Sequence, residues 1–157
     1  MRKILLSIFG TIAIITISFS QEYENAIGLR GGLSTGITAR HFLTKNTSVE
    51  GIAASRWSGF NITGLYEIYQ YRAFDVKRLN WYYGGGAHIG FWNGNNVSWL
   101  DDNKDYTILG IDGIIGIEYN IKEIPVNISV DWKPAFNLIG HTGLWPDGGA
   151  VSVRYIF

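Results

Sequence analysis

The chain has 157 residues, of which 46% are hydrophobic, 15% aromatic and only 17% charged, whereas a soluble globular domain carries roughly 25% charged residues. Thirteen basic side chains balance thirteen acidic ones and cysteine is absent. There is therefore no basic field to attract nucleic acid, and disulfides, thiolate metal sites, cysteine nucleophiles and a lipidated cysteine are all excluded. The length suits one domain.

In chain order, the first element is a leader. Arg2 and Lys3 precede an apolar run from Ile4 to Phe19, and Ser18 and Ser20 flank Phe19. This is the charged, apolar, small-residue order of a secretory signal peptide. Residues 1–20 are expected to be removed, leaving 21–157 as the mature domain. The run is interrupted by Ser7, Gly10, Thr11 and Thr16, and it is short for a span needing about 20 apolar residues.

After residue 25 the pattern is alternation, the period of a strand. Ile27, Leu29 and Leu33 share a face of the first segment, and a turn at Ser34–Gly36 leads to Ile37, Ala39 and Leu43 in the second. The third, near 49–57, sets Val49, Gly51, Ala53 and Trp57 against Glu50, Ile52, Ala54 and Arg56. The fourth, near 60–71, sets Phe60, Ile62, Tyr66 and Ile68 against Asn61, Thr63 and Glu67, with a mismatch at Leu65. In the fifth, near 80–92, Trp81, Tyr83, Ala87, Ile89 and Phe91 oppose Tyr82, His88 and the glycines. In the sixth, near 106–120, Leu109, Ile111, Ile115, Ile117 and Tyr119 oppose Asp112 and Glu118. Strands near 126–136 and 149–157 complete eight. Long connections at 93–105 and 137–148 fall on one side of the chain's path. Transmembrane barrels have longer loops outside and short turns toward the periplasm, so the first strand is expected to run outward.

Alternation alone does not say which face meets water. The charges do. The polar face carries Arg30, Arg40, Glu50, Arg56, Glu67, His88, Asp112, Glu118, Asp131, Lys133 and Arg154 among Gly, Ser, Thr and Asn. A sparse set of both signs suits a narrow interior where each ion has a partner, because an unpaired buried ion costs several kcal/mol. The apolar face then looks outward into lipid. Trp81 and Phe91 share that face ten residues apart, about 33 Å at roughly 3.3 Å per residue. Tilted by about 40°, this spans about 25 Å, the height of the apolar band between the aromatic girdles of an outer-membrane barrel. Trp57, Phe60 and Phe91 are assigned to the outer girdle, and Trp81, Tyr119, Tyr155 and Phe157 to the inner one.

The last strand ends on Phe157, with Tyr155, Val153 and Val151 alternating before it. This resembles the terminal signal by which bacterial outer-membrane barrels are recognised for assembly. With the leader and the eight alternating strands, residues 25–157 resemble the small eight-stranded outer-membrane β-barrels of the OmpX and OmpA membrane-domain kind. The resemblance implies an all-β, antiparallel, up-and-down transmembrane barrel, inserted by the barrel-assembly machinery with Tyr155 and Phe157 as its signal. It implies residence in the bacterial outer membrane after export through the periplasm, against lipid and lipopolysaccharide. It does not carry over a function, because members range from structural and adhesive proteins to lipid-modifying enzymes.

His141, Ser98, Asp101 and Asp102 fall in the long connections, where an acyl-transferring or deacylating centre could form, but loop serines and aspartates are usually turn formers. His88 reads as a partner for an interior carboxylate. His41 is placed facing lipid. The histidines at 41, 88 and 141 lack metal-ligand spacing, and Gly84–Gly86 has no following helix to make a phosphate loop. An eight-stranded interior is just wide enough for its own side chains. The expected protein is thus a monomeric, non-enzymatic barrel without cofactor or catalytic residues. It would display 93–105 and 137–148 for envelope integrity or surface interaction. The apolar loop residues Trp92, Trp99, Leu144 and Trp145 suggest contact with headgroups or a partner. A rim-sited lipid A-modifying enzyme and a narrow channel are the alternatives.

Overall fold

The computed structural model describes residues 23–56, 58–93 and 105–157. Its strands are β1 (Asn25–Gly32), β2 (Thr35–Thr44), β3 (Thr47–Arg56), β4 (Gly59–Gln70), β5 (Leu79–Asn93), β6 (Asp105–Asn120), β7 (Val126–Trp132), β8 (Ala135–Ile139), β9 (Gly143–Trp145) and β10 (Gly149–Ile156). Every pairing is antiparallel. Each of β1 to β6 pairs with its successor, β7 pairs with β10, and β10 returns to β1, so the sheet closes on itself. β7 and β8 form one stave: β7 lies along β6 from Ile115 to Asn120, and β8 takes over the same neighbour from Asp112 to Leu109. The fold is a closed antiparallel barrel of eight staves, with β9 hairpinned onto β8.

Local sequence explains the punctuation. The first turn is Leu33–Ser34, tighter than the expected Ser34–Gly36, because Thr35 and Gly36 already pair with β3. The expected seventh strand, 126–136, and the expected loop, 137–148, both need correction. Pro134 has no N–H for the ladder, and here the chain leaves register: Lys133 N–H bonds to the Gly148 carbonyl, and Pro134 offers its carbonyl to Gly113 N–H. The chain re-enters as β8, reverses near Gly140 in a left-handed conformation (φ 94°) and returns as β9. Much of 137–148 is therefore barrel wall and hairpin.

Side chains alternate across this wall with inverted polarity. Ile27, Leu29, Ile37, Ile62, Ile115 and Val130 are exposed on the outside, while Arg30, Arg40, Glu50, Glu67, Glu118 and Arg154 are each 2% exposed or less inside. The interior is not wholly polar. Ile52, Ala54, Leu65 and Ile114 pack inside against Tyr69 and Tyr82, which accounts for the mismatch at Leu65. Gly84 and Gly86 mark a close approach of two backbones: a Cβ there would lie 2.1 Å from the Tyr66 carbonyl oxygen and 1.8 Å from that of Gly64. Gly116 instead leaves space for Tyr82 with Asp131, and Gly110 for the His88 ring as well as for the Phe136 carbonyl.

Phe60 and Phe91 face each other across β4 and β5 and are exposed. Towards the end that carries Asn25 and Phe157, Trp81 stacks on Tyr83 at 5.4 Å, Tyr155 on Phe157 at 5.9 Å, and Tyr119 is exposed. Trp57 lies outside the described residues.

Candidate functional site

The candidate site is the barrel interior, built where inward-facing positions of neighbouring strands coincide in register. Arg40 on β2 pairs across the ladder with Glu50 on β3, and three carboxylates converge on its guanidinium. Nη2 donates to Glu50 at 2.5 Å, Nε meets Glu67 at 2.9 Å, and Nη1 donates to Glu118 at 2.9 Å. Arg40 also lies 4.8 Å from the centroid of the Tyr82 ring and 5.4 Å from that of Tyr69, within reach of cation–π attraction. Arg154 from β10 donates to Glu50 at 2.7 Å and to Ser129 at 2.6 Å. Thr38 donates to Glu50, Ser48 to Glu67, and Tyr23 to Glu118 at 3.0 Å. A separate pair, Arg30 on β1 and Asp131 on β7, is joined by two parallel hydrogen bonds, at 2.7 Å and 2.5 Å. Tyr82 adds a third donor to Asp131 at 3.2 Å.

Closer to the loop end, His88 Nδ1 lies 2.7 Å from Asp112, and His88 Nε2 lies 3.0 Å from the Asn137 side-chain oxygen. Lys133 donates to the other Asp112 oxygen. Both imidazole nitrogens are engaged, so the ring has none left to take a proton from a nucleophile. The structure thus gathers Arg30, Arg40, Glu50, Glu67, Glu118, Asp131 and Arg154 in one part of the interior and His88, Asp112 and Lys133 in another. Arg56 belongs to neither, because its guanidinium reaches Asp147 beyond β9.

Above these groups sits an aromatic cap of Trp92 and Trp145. Trp92, expected in an exposed loop, is the last inward position of β5 and is 3% exposed. Its indole N–H donates to the Arg56 carbonyl at 3.0 Å, and its ring meets Trp145 edge to face at 5.5 Å, beside the buried Ile108. The signal was present in the phase of β5, since Trp92 follows His88 and Gly90 on the same face. Leu144 is exposed, as is His141 between β8 and β9. Trp99, Ser98, Asp101 and Asp102 lie outside the described residues. His41 faces outward with Nδ1 2.9 Å from the Asn25 side-chain oxygen.

Glycine makes room for the cap, since a Cβ at Gly90 would lie 2.0 Å from the Trp92 ring. Gly90→Ala should therefore cost about 1–3 kcal/mol through overpacking, read as a lower urea midpoint for unfolding. Gly64→Ala, whose Cβ would meet nothing within 4 Å, should leave the midpoint in place.

The cap also has a pH-sensitive edge. The hydrogen bond from Arg56 holds the Asp147 carboxyl below its ordinary range. A carboxyl lowered in the folded state contributes above its ordinary value and loses that contribution as pH falls through the lowered one. The hairpin Gly143–Trp145 should become more sensitive to protease only in the acid range below ordinary carboxyl titration. Asp147→Asn should remove that pH dependence while leaving the barrel closed.

Among the described residues, no group of three or more His, Cys, Asp or Glu is placed to hold a metal ion. No protein-family model matches the chain, and no curated protein is significantly similar to it.

Proposed function

We propose that this chain is a non-enzymatic outer-membrane β-barrel protein with a lumen filled by its own side chains, serving envelope integrity or surface interaction through the segment 93–105 and the β8–β9 hairpin. The observation that carries the reading is the inverted polarity of the closed barrel. Exposed positions on its staves are occupied by Ile, Leu, Val and aromatic residues, and guanidinium and carboxylate groups are buried within. Water rewards the opposite arrangement, whereas hydrocarbon rewards this one and admits only strands whose backbone groups are all paired. The interior supports a sealed cylinder over a diffusion pore, since Arg30, Arg154, Tyr69 and Tyr82 fill it and are 1% exposed or less.

On this reading residues 1–20 are a leader removed on export through the periplasm, and the barrel-assembly machinery recognises the end of β10. The barrel resides as a monomer among outer-membrane lipid and lipopolysaccharide, without a cofactor. Deleting Phe157 should slow assembly and lower the surface level severalfold by protease accessibility on intact cells, whereas normal levels would remove the assembly-signal role. The reading itself is tested by cell fractionation followed by gels run with and without boiling. Sedimentation with the outer membrane and a folded band that shifts on heating support it; recovery as a soluble periplasmic species overturns it. The enzymatic alternative is separated by His141→Ala, which should leave lipid A acylation unchanged, and the channel alternative by single-channel recording, which should show no openings.

A further inference from the structure

The ion pairs in the lower interior do not balance. Around Arg40 and Arg154 stand Glu50, Glu67 and Glu118, three carboxylates against two guanidinium groups, all fully or almost fully buried. The neighbouring Arg30 and Asp131 satisfy each other and lend no spare charge. His88 and Lys133 are engaged with Asp112 in a different part of the interior. An uncompensated charge sealed from water costs several kcal/mol, so the cluster as a set of free ions is one positive charge short.

The contacts identify where the missing charge belongs. Glu50 and Glu67 crowd the same edge of Arg40, whose Nε lies 3.1 Å from Glu50 Oε2 and 2.9 Å from Glu67 Oε2, and two carboxylates side by side have no proton with which to bond each other. Glu50 is already saturated as an anion: Arg154 and Thr38 donate to Oε1, and Arg40 donates to Oε2 through both Nε and Nη2. Glu118 receives Arg40 Nη1, Tyr23 and, at 3.5 Å, Asn80, and shares the Tyr69 hydroxyl with Glu67 at 3.4 Å from each. Glu67 is the least supplied. Its Oε2 lies 2.9 Å from Arg40 Nε, whose single N–H goes to Glu50, and accepts from Ser48, with Tyr69 at 3.4 Å, and its Oε1 has only a 3.5 Å contact to Arg40 Nη2.

We propose that the barrel interior is a binding site for one proton, held on Glu67 and donated to Glu50, so that the cluster is neutral and Glu67 is a carboxylic acid at neutral pH. The groups around Glu67 are Arg40 from β2, Ser48 and Glu50 from β3, and Tyr69 from β4, whose hydroxyl stands between Glu67 and Glu118 of β6, with Arg154 of β10 on the far side of Glu50. Protonation breaks the tie between the two glutamates. Glu50 stays the anion that bridges both arginines, and Glu67 becomes the donor that completes the hydrogen-bond chain.

The test is infrared spectroscopy of the folded full chain at neutral pH in an ester-free detergent, with and without carbon-13-labelled glutamate. The expected result is a carbonyl stretch of one protonated carboxyl per chain that shifts with the label, vanishes in Glu67→Gln and persists in Asp112→Asn, which lies outside the cluster. Glu67→Gln, whose amide also donates towards Glu50, should fold as well as the parent, whereas Glu50→Gln, which removes the anion bridging both arginines, should fold less well. Absence of a labelled protonated carbonyl in the parent chain overturns the proposal whatever the variants do, as does its persistence in Glu67→Gln.

Discussion

Replacing Arg40 with methionine is expected to be the most damaging single change in the barrel. Removing one partner of a buried ion pair costs about 3–5 kcal/mol, and Arg40 is shared by three carboxyl groups. Glu50 would keep Arg154, but Glu118 would keep only neutral donors. Methionine fills much of the volume, so the loss would be electrostatic and not a cavity. A cost of this size is comparable with the total stability of many domains, about 5–15 kcal/mol. Refolding into micelles, followed by the fraction of chain that runs as the heat-sensitive folded species, should fall from nearly complete to a minor share. Adding Glu118→Gln should recover part of it, because the carboxylate left without a guanidinium is then gone. Full folding of Arg40→Met would mean that the interior tolerates these charges unpaired.

The second large effect is expected on the outside of the wall. Ile115 is outward-facing and 47% exposed, four residues along β6 from Tyr119. Four residues are about 13 Å of strand, about 10 Å of height at a tilt of about 40°, which is near the middle of a 25 Å apolar band. Ile115→Arg should destabilise the barrel in lipid by about 2–4 kcal/mol, measured as a shift in the urea midpoint for folding into vesicles. Ile115→Leu should leave it unchanged. An arginine at 115 with no effect in vesicles would place that face in water.

Much of this architecture is legible in the sequence because a barrel wall is a local object. Period two from Ile27 to Phe157 divides each stave into two faces before any contact is known, and a single ion such as Glu67 between Tyr66 and Ile68 fixes which face is which. The interior contacts are different, because they depend on register around the whole ring. That Arg40 reaches Glu118, 78 positions away, follows from the closure of eight strands. Ile52, Ala54 and Ile114 are misleading for the opposite reason: a residue's own polarity does not reveal that it packs inside beside Tyr69 and Tyr82. The hairpin β8–β9 was hidden by punctuation. Gly140 and Pro146 read as a loop, and a three-residue strand such as Gly143–Trp145 has too little alternation to register. Trp92 shows that strand phase is a better guide than the apolar character of a supposed loop.

The central claim is that the exterior of the barrel meets hydrocarbon, and the absence of cysteine makes a direct test clean. Single cysteines at consecutive positions of β7, from Val126 to Trp132, would carry nitroxide labels in lipid vesicles. The expected result is a period of two, with labels at Ile128 and Val130 relaxed by oxygen and shielded from a water-soluble nickel chelate, and with labels at Asn127 and Ser129 shielded from both. Strong relaxation by the chelate at Ile128 and Val130 would contradict it, because those side chains would then face water.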